Sequence, residues 1–541
     1  MSVHQNLQHT LRPTLSLKIQ SVLALGAGAV AATGFQPLAL WPFALLALAL
    51  LIHLVSVAQS WKQVTWLGWL FGVGHFSLGN NWIATAFSYQ AAMPAWLGGV
   101  AVVLLALYLA VYPALAALGG WSLWRFARGP ADRTQAHIGL VLALAGCWIV
   151  AEWLRSWVFT GFAWNPLAMI ALGGWDRPGL ASLSPWTGTY ALSGLIMVLA
   201  GCWWLALSQW RKGARGWAGA LVLVPAILLT LPISGNGAQG HLPFTLVQPD
   251  TRQEDLNDPA KFEEQFQVTA ALTRPKSPGE RRLVLWPESG VPDYLREGYP
   301  QYFYDQTTYM GDPRLARERI GRVIGPGSLL LTGAVDLEVR NRQAISADNA
   351  VTVINERGEL LPSYVKAHLV PYGEYLPLKW LLEPLGLSRL VAGSIDFRAG
   401  PGPRTIDYGP WGRIGFQVCY EIIFSGQVTD RSNRPEMIFN PSNDGWFGSW
   451  GPPQHLAQAR MRAIEEALPI LRSTTTGISA VIDAQGVVRQ SLPLNARGRL
   501  DGRVPPPGEP TLFSRLGNIL PLGWAIVVLV LSVVVSRRWC G

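Results

Sequence analysis

Long apolar stretches, rich in Trp, Leu and Ala and broken only by short polar loops, run from about residue 18 to 234. From about 240 to 510 the pattern changes to short alternating or apolar runs between charged and turn-forming residues, and one last apolar stretch closes the chain. Stretches of that length and polarity predict membrane-spanning helices. Eight are expected, at about 18 to 34, 37 to 57, 64 to 83, 93 to 118, 137 to 156, 186 to 208, 216 to 234 and 517 to 536. The expected organisation is a seven-helix membrane domain over 1–236, an extramembrane domain over 240–510 and a C-terminal transmembrane helix over 515–541.

In the extramembrane part PFTLVQPD reads as a strand, followed by a polar helix from about Pro259 to Arg274. RRLVLWPESG is an apolar strand broken by Pro287, which leaves Glu288 at its end. SLLLTGAVD is another buried strand, and NAVTVINERGELLPSYVK is a hairpin that turns at Glu356 to Gly358 and runs out at Lys366. In GRIGFQVCYEIIF, Ile414, Phe416 and Val418 alternate as in a half-buried strand and deliver Cys419 to a turn, after which Glu421 to Phe424 begins a helix. MIFNPSNDGWFG, a helix from Gln454 to Leu468 and a hairpin around Asp483 to Gly486 follow, and Pro505 to Pro510 links back to the membrane. Strands alternating with helices and hairpins predict an α/β domain of stacked layers. No internal repeat or low-complexity segment is evident.

Composition sharpens this picture. Of 541 residues 50% are hydrophobic and 14% charged, and the net charge of +9 raises a nucleic-acid reading. The basic residues do not line a helix face, which argues against that reading. Arg12, Lys18, Lys62, Arg125, Arg128, Arg133, Arg211, Lys212, Arg215, Arg537 and Arg538 all fall on one side of the expected spans. The intervening loops Gly34 to Pro37 and Ala84 to Met93 lack Lys and Arg; Arg155, Asp176 and Arg177 make the one mixed connection. The positive-inside rule then makes both termini cytoplasmic and the 240–510 domain external. The first span ends without a cleavage pattern and is expected to stay in the chain. Cys147 and Cys202 lie in spans and Cys540 at the cytoplasmic end, so Cys419 is alone outside, without an intradomain disulfide partner. An unpaired thiol in an oxidising compartment points to a nucleophile.

Glu288, Lys366 and Cys419 each stand at the end of an apolar strand. Singly they read as solvated loop residues or, for the thiol, as a small buried hydrophobe. Together they supply a base, an electrophilic stabiliser and a nucleophile, the minimum for acyl transfer. Within the membrane part Glu152 and Arg155 sit three apart at a span end among aromatics, either as a structural ion pair or as a lipid-phosphate contact. The two amides of GNNW (Gly79 to Trp82) read as helix packing or as the lining of a head-group site. His368 and His455 are isolated and lack ligand spacing, so neither metal nor cofactor is expected.

WPES, YVKAHLVPYGEYLP, GFQVCYE and SNDGWFG, in that order, resemble the nitrilase superfamily, whose Glu-Lys-Cys triad falls on Glu288, Lys366 and Cys419. With seven spans before and one after, and WPF and EWLRSWVFTGFAW near the membrane, the whole chain resembles that superfamily's membrane-embedded branch, the apolipoprotein N-acyltransferases of Gram-negative bacteria. The resemblance implies an αββα sandwich joined to the polytopic α-helical membrane domain. It implies transfer of a fatty acyl chain from a phospholipid, with phosphatidylethanolamine the expected donor, to the N-terminal cysteine of diacylglyceryl lipoproteins at the outer face of the inner membrane. A monomer that binds no nucleic acid is expected. Glu374 and Glu421 match acidic positions near the family's triad, and Tyr420 matches the aromatic after its Cys. Trp446 and Phe447 are candidates for contact with an acyl chain or for core packing, while Asn443 and Asp444 read as turn-shaping. One stretch departs: QPDTRQEDL replaces the family's usual QGNIPQ and following aromatic, and Leu256 inherits no role.

Two other readings stand beside this one: a membrane-tethered amidase or nitrilase that hydrolyses a small soluble amide, and a transporter or assembly protein whose outer domain binds without reacting. The fused spans count against the first. The scarcity of charge inside the spans counts against transport.

Overall fold

The computed structural model describes residues 15–89, 94–128, 133–231, 237–382, 384 and 395–537. Arg12, Met93, Arg538 and Cys540, which enter the orientation and thiol arguments, lie outside them, as do residues 232–236 at the expected domain boundary.

The N-terminal half is a bundle of α1 (Leu17–Ala32), α2 (Trp41–Val57), α3 (Trp61–Gly79), α4 (Trp96–Leu109), α5 (Val111–Ala127), α6 (Arg133–Arg155), α7 (Ser184–Arg211) and α8 (Arg215–Thr230). Local chemistry sets the starts: Ser60 Oγ accepts from the Gln63 N–H to cap α3, and Pro42 sits in the first turn of α2, where no N–H is needed.

The chain then forms β1 (Pro243–Gln248), α9 (Phe262–Thr273), β2 (Leu283–Leu285), α10 (Pro313–Ile324), β3 (Leu329–Arg340), β4 (Gln343–Asn355), β5 (Leu360–Val365), β6 (Thr405–Asp407), β7 (Arg413–Phe416) and β8 (Met437–Ser442). It ends with α11 (Gly451–Glu466), β9 (Ile470–Thr474), β10 (Ser479–Ile482), β11 (Val488–Leu492), β12 (Gly498–Arg503) and α12 (Ile519–Arg537).

Each stretch expected to span is mostly helical over its described residues. Among the described residues four helices are long and apolar enough to cross a bilayer: Trp96–Ala127, into which α4 and α5 merge, Thr134–Arg155, Leu180–Arg211 and α12. The helices α1, α2 and α8 are apolar but shorter, at 16, 17 and 16 residues. Several basic residues lie over aromatic rings at one end of the bundle: Arg125 over Trp121, Arg128 over Trp124, Arg215 over Trp210 and Arg537 over Phe126. Lys212 Nζ also reaches Thr134 Oγ1 at 2.6 Å.

The strands form two six-stranded sheets, ordered β12-β1-β2-β3-β4-β5 and β11-β10-β9-β8-β7-β6. Alternation along the strands builds the layers. Leu283 and Leu285 turn into the core between the sheets, against Phe416, Phe439 and Leu471, while Val284 turns outward to α9 and α10 with Phe266 and Ile320. This is the αββα sandwich. Each sheet has an antiparallel edge strand, three parallel strands and two antiparallel ones, so the domain carries a structural repeat that the sequence does not display. The repeat lies in strand direction, not in residue identity.

The helix on the second sheet, α11, is buried almost throughout because the membrane bundle covers its other side. Its polar groups are used in the seam. Glu465 Oε1 accepts from the Thr189 N–H at 2.7 Å and from Ser425 Oγ at 2.8 Å, and Arg460 donates to Gly486 on one side and to Gly173 and Gly174 on the other.

Candidate active site

Three strand ends meet where the sheets face the bundle. Glu288 follows β2 across Trp286-Pro287, Lys366 directly follows β5, and Cys419 opens a short 3-10 helix, Cys419–Ile423, just past β7. All three are buried.

Lys366 Nζ stands 3.0 Å from Glu374 Oε1 and 3.5 Å from Glu288 Oε1. Asn349, on β4, holds the two carboxylates side by side by donating from Nδ2 to both Oε1 atoms at 2.8 Å. The backbone N–H of Asn443 donates to Glu288 Oε2 at 2.8 Å, and that of Val370 to Glu374 Oε2 at 2.7 Å. Burial alone would push the Lys366 ammonium down, but Glu374 and then Glu288 outweigh it and hold the amine well above the usual lysine range. Burial, reinforced by the Glu288 carboxylate, pushes the Cys419 thiol well up, while Lys366 and the Asn443 N–H pull the other way. The resting sulfur is therefore a thiol that needs a base.

Cys419 adopts φ +50°, a left-handed conformation that costs a residue with a Cβ about 1–2 kcal/mol. Glu421 supports that turn: Oε2 accepts from the Val418 N–H at 2.7 Å, and Oε1 accepts from Tyr364 OH and the N–H groups of Ala367 and His368 at 2.8, 2.7 and 3.0 Å. One carboxylate thus ties the turn bearing Cys419 to the segment bearing Lys366.

The loop after α6 closes the site from the membrane side. Tyr420 OH donates to the Gly161 carbonyl at 3.4 Å, and His368 Nε2 lies 3.4 Å from the Thr160 carbonyl. Gly161 has φ +70°, and a Cβ there would stand 2.5 Å from the Ser156 carbonyl oxygen, so glycine is required. Glu152 and Arg155 are both buried, and their ends are used by this chain. Arg155 Nη1 donates to the carbonyls of Phe162 and Trp164, at 2.9 and 2.8 Å, and Glu152 Oε1 accepts from the Leu167 N–H and Trp148 Nε1, both at 2.9 Å. Among the described residues no ion pair within 4.0 Å joins them. Trp82 is buried against Trp164 and Phe447, with ring centroids 4.5 and 4.7 Å away. Phe447 packs on Trp82, Trp164 and His455, and Trp446 packs on Tyr89.

His455, isolated in the sequence, is not isolated in the fold. Its Nε2 lies 3.0 Å from the Cys419 carbonyl and its Nδ1 3.0 Å from Asp444 Oδ1. Cys419, Asp444 and His455 bring one potential metal-ligand atom each within 4.8 Å of one another. A cation fits poorly there, because Arg472 Nη2 already stands 2.6 Å from Asp444 Oδ2 and 3.0 Å from His455 Nδ1. Asn349, His455, Arg472 and Gln253, whose Oε1 accepts from Asn443 Nδ2 at 2.8 Å, were not found by sequence reasoning. For Asn349 there was a signal: Asn is depleted in strands, and here it heads the apolar run AVTVI. Gln253 shows that the divergent stretch after β1 still reaches the site.

A sandwich with a thiol, an ammonium and carboxylates gathered at its strand ends defines an acyl-transferring member of the nitrilase superfamily, and the carbon-nitrogen hydrolase family model matches residues 246–506. The apolipoprotein N-acyltransferase N-terminal domain model matches residues 27–202. Apolipoprotein N-acyltransferases of Caulobacter vibrioides and Rhodopseudomonas palustris are 35% and 32% identical, covering 95% and 96% of this chain and 94% and 95% of theirs. Among solved structures, an amidase from Nesterenkonia sp. aligns with a TM-score of 0.31 at 17% identity, covering 50% of this chain and 92% of that one. The chain belongs to the apolipoprotein N-acyltransferase family. It is a membrane-bound acyltransferase of the nitrilase superfamily.

Proposed function

We propose that the chain moves a fatty acyl chain from a phospholipid, by way of a thioester on Cys419, to the α-amino group of a diacylglyceryl-cysteine apolipoprotein. The observation that carries this reading is the meeting of Cys419, Lys366 and Glu288 under a loop of the membrane bundle, where a lipid ester has the shortest path to the sulfur. Drawing an acyl chain into water costs about 0.8 kcal/mol per CH₂, so the reacting carbonyl must stay at the bilayer surface.

Glu288 takes the proton of the Cys419 thiol, and the thiolate adds to the ester carbonyl. The Lys366 ammonium and the Tyr420 N–H bind the resulting oxyanion. Collapse breaks the ester bond; the lysophospholipid alkoxide takes the proton from Glu288 and leaves the acyl group on sulfur. The acceptor amine then attacks the thioester, Glu288 removes the amine proton, and Cys419 is released as a thiol when that proton returns to it. Glu374 and Asn349 keep Lys366 charged and Glu288 in place throughout. One site used by donor and acceptor in turn gives ping-pong kinetics.

The clustering of basic residues over aromatics at one end of the bundle supports a cytoplasmic placement of that end, and hence a periplasmic site in the inner membrane with both termini cytoplasmic. The reading calls on no residue of a second copy and takes the monomer as the acting unit. The test is incubation of the purified protein with phosphatidylethanolamine and a synthetic diacylglyceryl-cysteine peptide. Appearance of the N-acylated peptide with an equal amount of lysophospholipid is expected. Release of free fatty acid with the peptide unchanged would favour the hydrolase reading.

A further inference from the structure

The turn that presents Cys419 is held from one place. Asn440 Nδ2 donates to the Gln417 carbonyl at 2.5 Å, and His455 Nε2 stands 3.0 Å from the Cys419 carbonyl. Arg472 fixes both clamps: Nη1 donates to Asn440 Oδ1 at 2.5 Å, and Nη2 lies 3.0 Å from His455 Nδ1. Arg472 and His455 are fully buried. The imidazole also packs edge or face against the rings of Trp164 and Phe447, with centroids 5.3 and 5.6 Å away.

A carbonyl oxygen only accepts, so His455 Nε2 carries the proton in this contact; on the far side of the ring Nδ1 faces Asp444 Oδ1 and Arg472 Nη2, each at 3.0 Å. The Cys419 carbonyl and the Tyr420 N–H belong to one planar peptide and point in opposite directions. Fixing the first therefore aims the second. Tyr420 is the second residue of the 3-10 helix Cys419–Ile423, where no preceding turn supplies an acceptor for its N–H. A hydrogen bond to the carbonyl also polarises the peptide and strengthens its N–H as a donor.

We propose that His455 is a positioning residue for acyl transfer: by bonding the Cys419 carbonyl it aims the Tyr420 N–H at the oxyanion. This rests on the thioester chemistry given above and deepens it with a residue that acts through the backbone.

The test separates oxyanion stabilisation from access to the sulfur. Iodoacetamide alkylates a thiol by displacement at a saturated carbon and builds no oxyanion, whereas acylation by phosphatidylethanolamine does. In full-length protein in detergent, both adducts at Cys419 are followed by peptide mass spectrometry. His455→Leu is expected to acylate about 10²-fold more slowly than the wild type, as for loss of one oxyanion donor, while alkylation stays within about threefold. His455→Gln, whose amide N–H can take the place of Nε2, is expected to return acylation to within about tenfold of wild type. Parallel loss of acylation and alkylation, a Leu variant that acylates like the wild type, or a Gln variant no better than Leu overturns the proposal. A wild-type protein that forms no acyl adduct overturns the thioester reading itself, and is told apart because the variants then have nothing to lose.

Discussion

Replacing Glu374 by Gln removes a charge from the site while nearly preserving its shape. The carboxylate lies 3.0 Å from Lys366 Nζ and is the largest influence keeping that buried amine protonated. At that distance, and with an effective dielectric constant of about 20, the lost attraction is ~5 kcal/mol. Taken in full this is a fall of about four pH units in the Lys366 pKa, an upper bound because the pocket relaxes and Glu288 remains at 3.5 Å. A fall of roughly three to four units is expected, which brings the pKa back toward the ordinary lysine value. The ammonium is the active form, so acylation is full below the Lys366 pKa and is lost as pH rises through it. In the wild type that loss lies beyond the accessible alkaline range; in Glu374→Gln it moves down into it. The assay is the single-turnover rate of acyl-Cys419 formation from phosphatidylethanolamine between about pH 6 and 10.5, a window that ends near the ordinary lysine pKa. A variant profile that superimposes on the wild type, with no alkaline limb, would refute the assignment of Glu374 as the group that keeps Lys366 charged.

Further outcomes follow from the same geometry. Glu421→Gln places an NH₂ group against either the Val418 N–H or the donors facing Oε1, leaving a buried donor unpaired at ~1–3 kcal/mol. The melting temperature in detergent should fall by roughly 2–6 °C, and an unchanged value contradicts the bridging role. Burial, aided by the Lys366 charge, pushes the His368 imidazole down from 6.5 to about 4, so the folded state keeps it neutral where the unfolded chain binds a proton. That contribution, at most ~3 kcal/mol, is fully present above pH 6.5 and is lost as pH falls toward 4. His368→Phe, which can still stack on Phe424, should flatten the melting temperature over that window, and an equally steep fall in the variant counts against it.

The positions of Glu288, Lys366 and Cys419 at neighbouring strand ends were legible because punctuation marks them: Pro287 stops a strand at Glu288, the hairpin runs out at Lys366, and an alternating run ends at Cys419. Each is a local signal. Asn349 carries only the weaker mark of an Asn heading a strand, and His455 and Arg472 carry none, since their roles exist only once α11 and β9 are packed around Cys419 and Glu288. Stacked α/β layers followed from the order of strands, helices and hairpins, and the αββα sandwich from the family resemblance, but β6, β9 and β12 from neither. The last pairs with β1 across more than half of the extramembrane chain, and so distant a partner leaves no local pattern. The helix at Gln454 to Leu468 was visible as a helix, but its burial on all sides was not, because half of its cover comes from the membrane bundle. Glu152 and Arg155 show the converse. Their spacing drew attention, yet their partners are the carbonyls and amides of the loop they shape.

The thioester is tested most directly by the intact mass of the purified protein after incubation with phosphatidylethanolamine alone, before and after neutral hydroxylamine. One added acyl mass, mapped to Cys419, removed by hydroxylamine and absent in Cys419→Ala, is the expected result. An unchanged mass, or an adduct that persists in Cys419→Ala, would contradict acyl transfer through this sulfur.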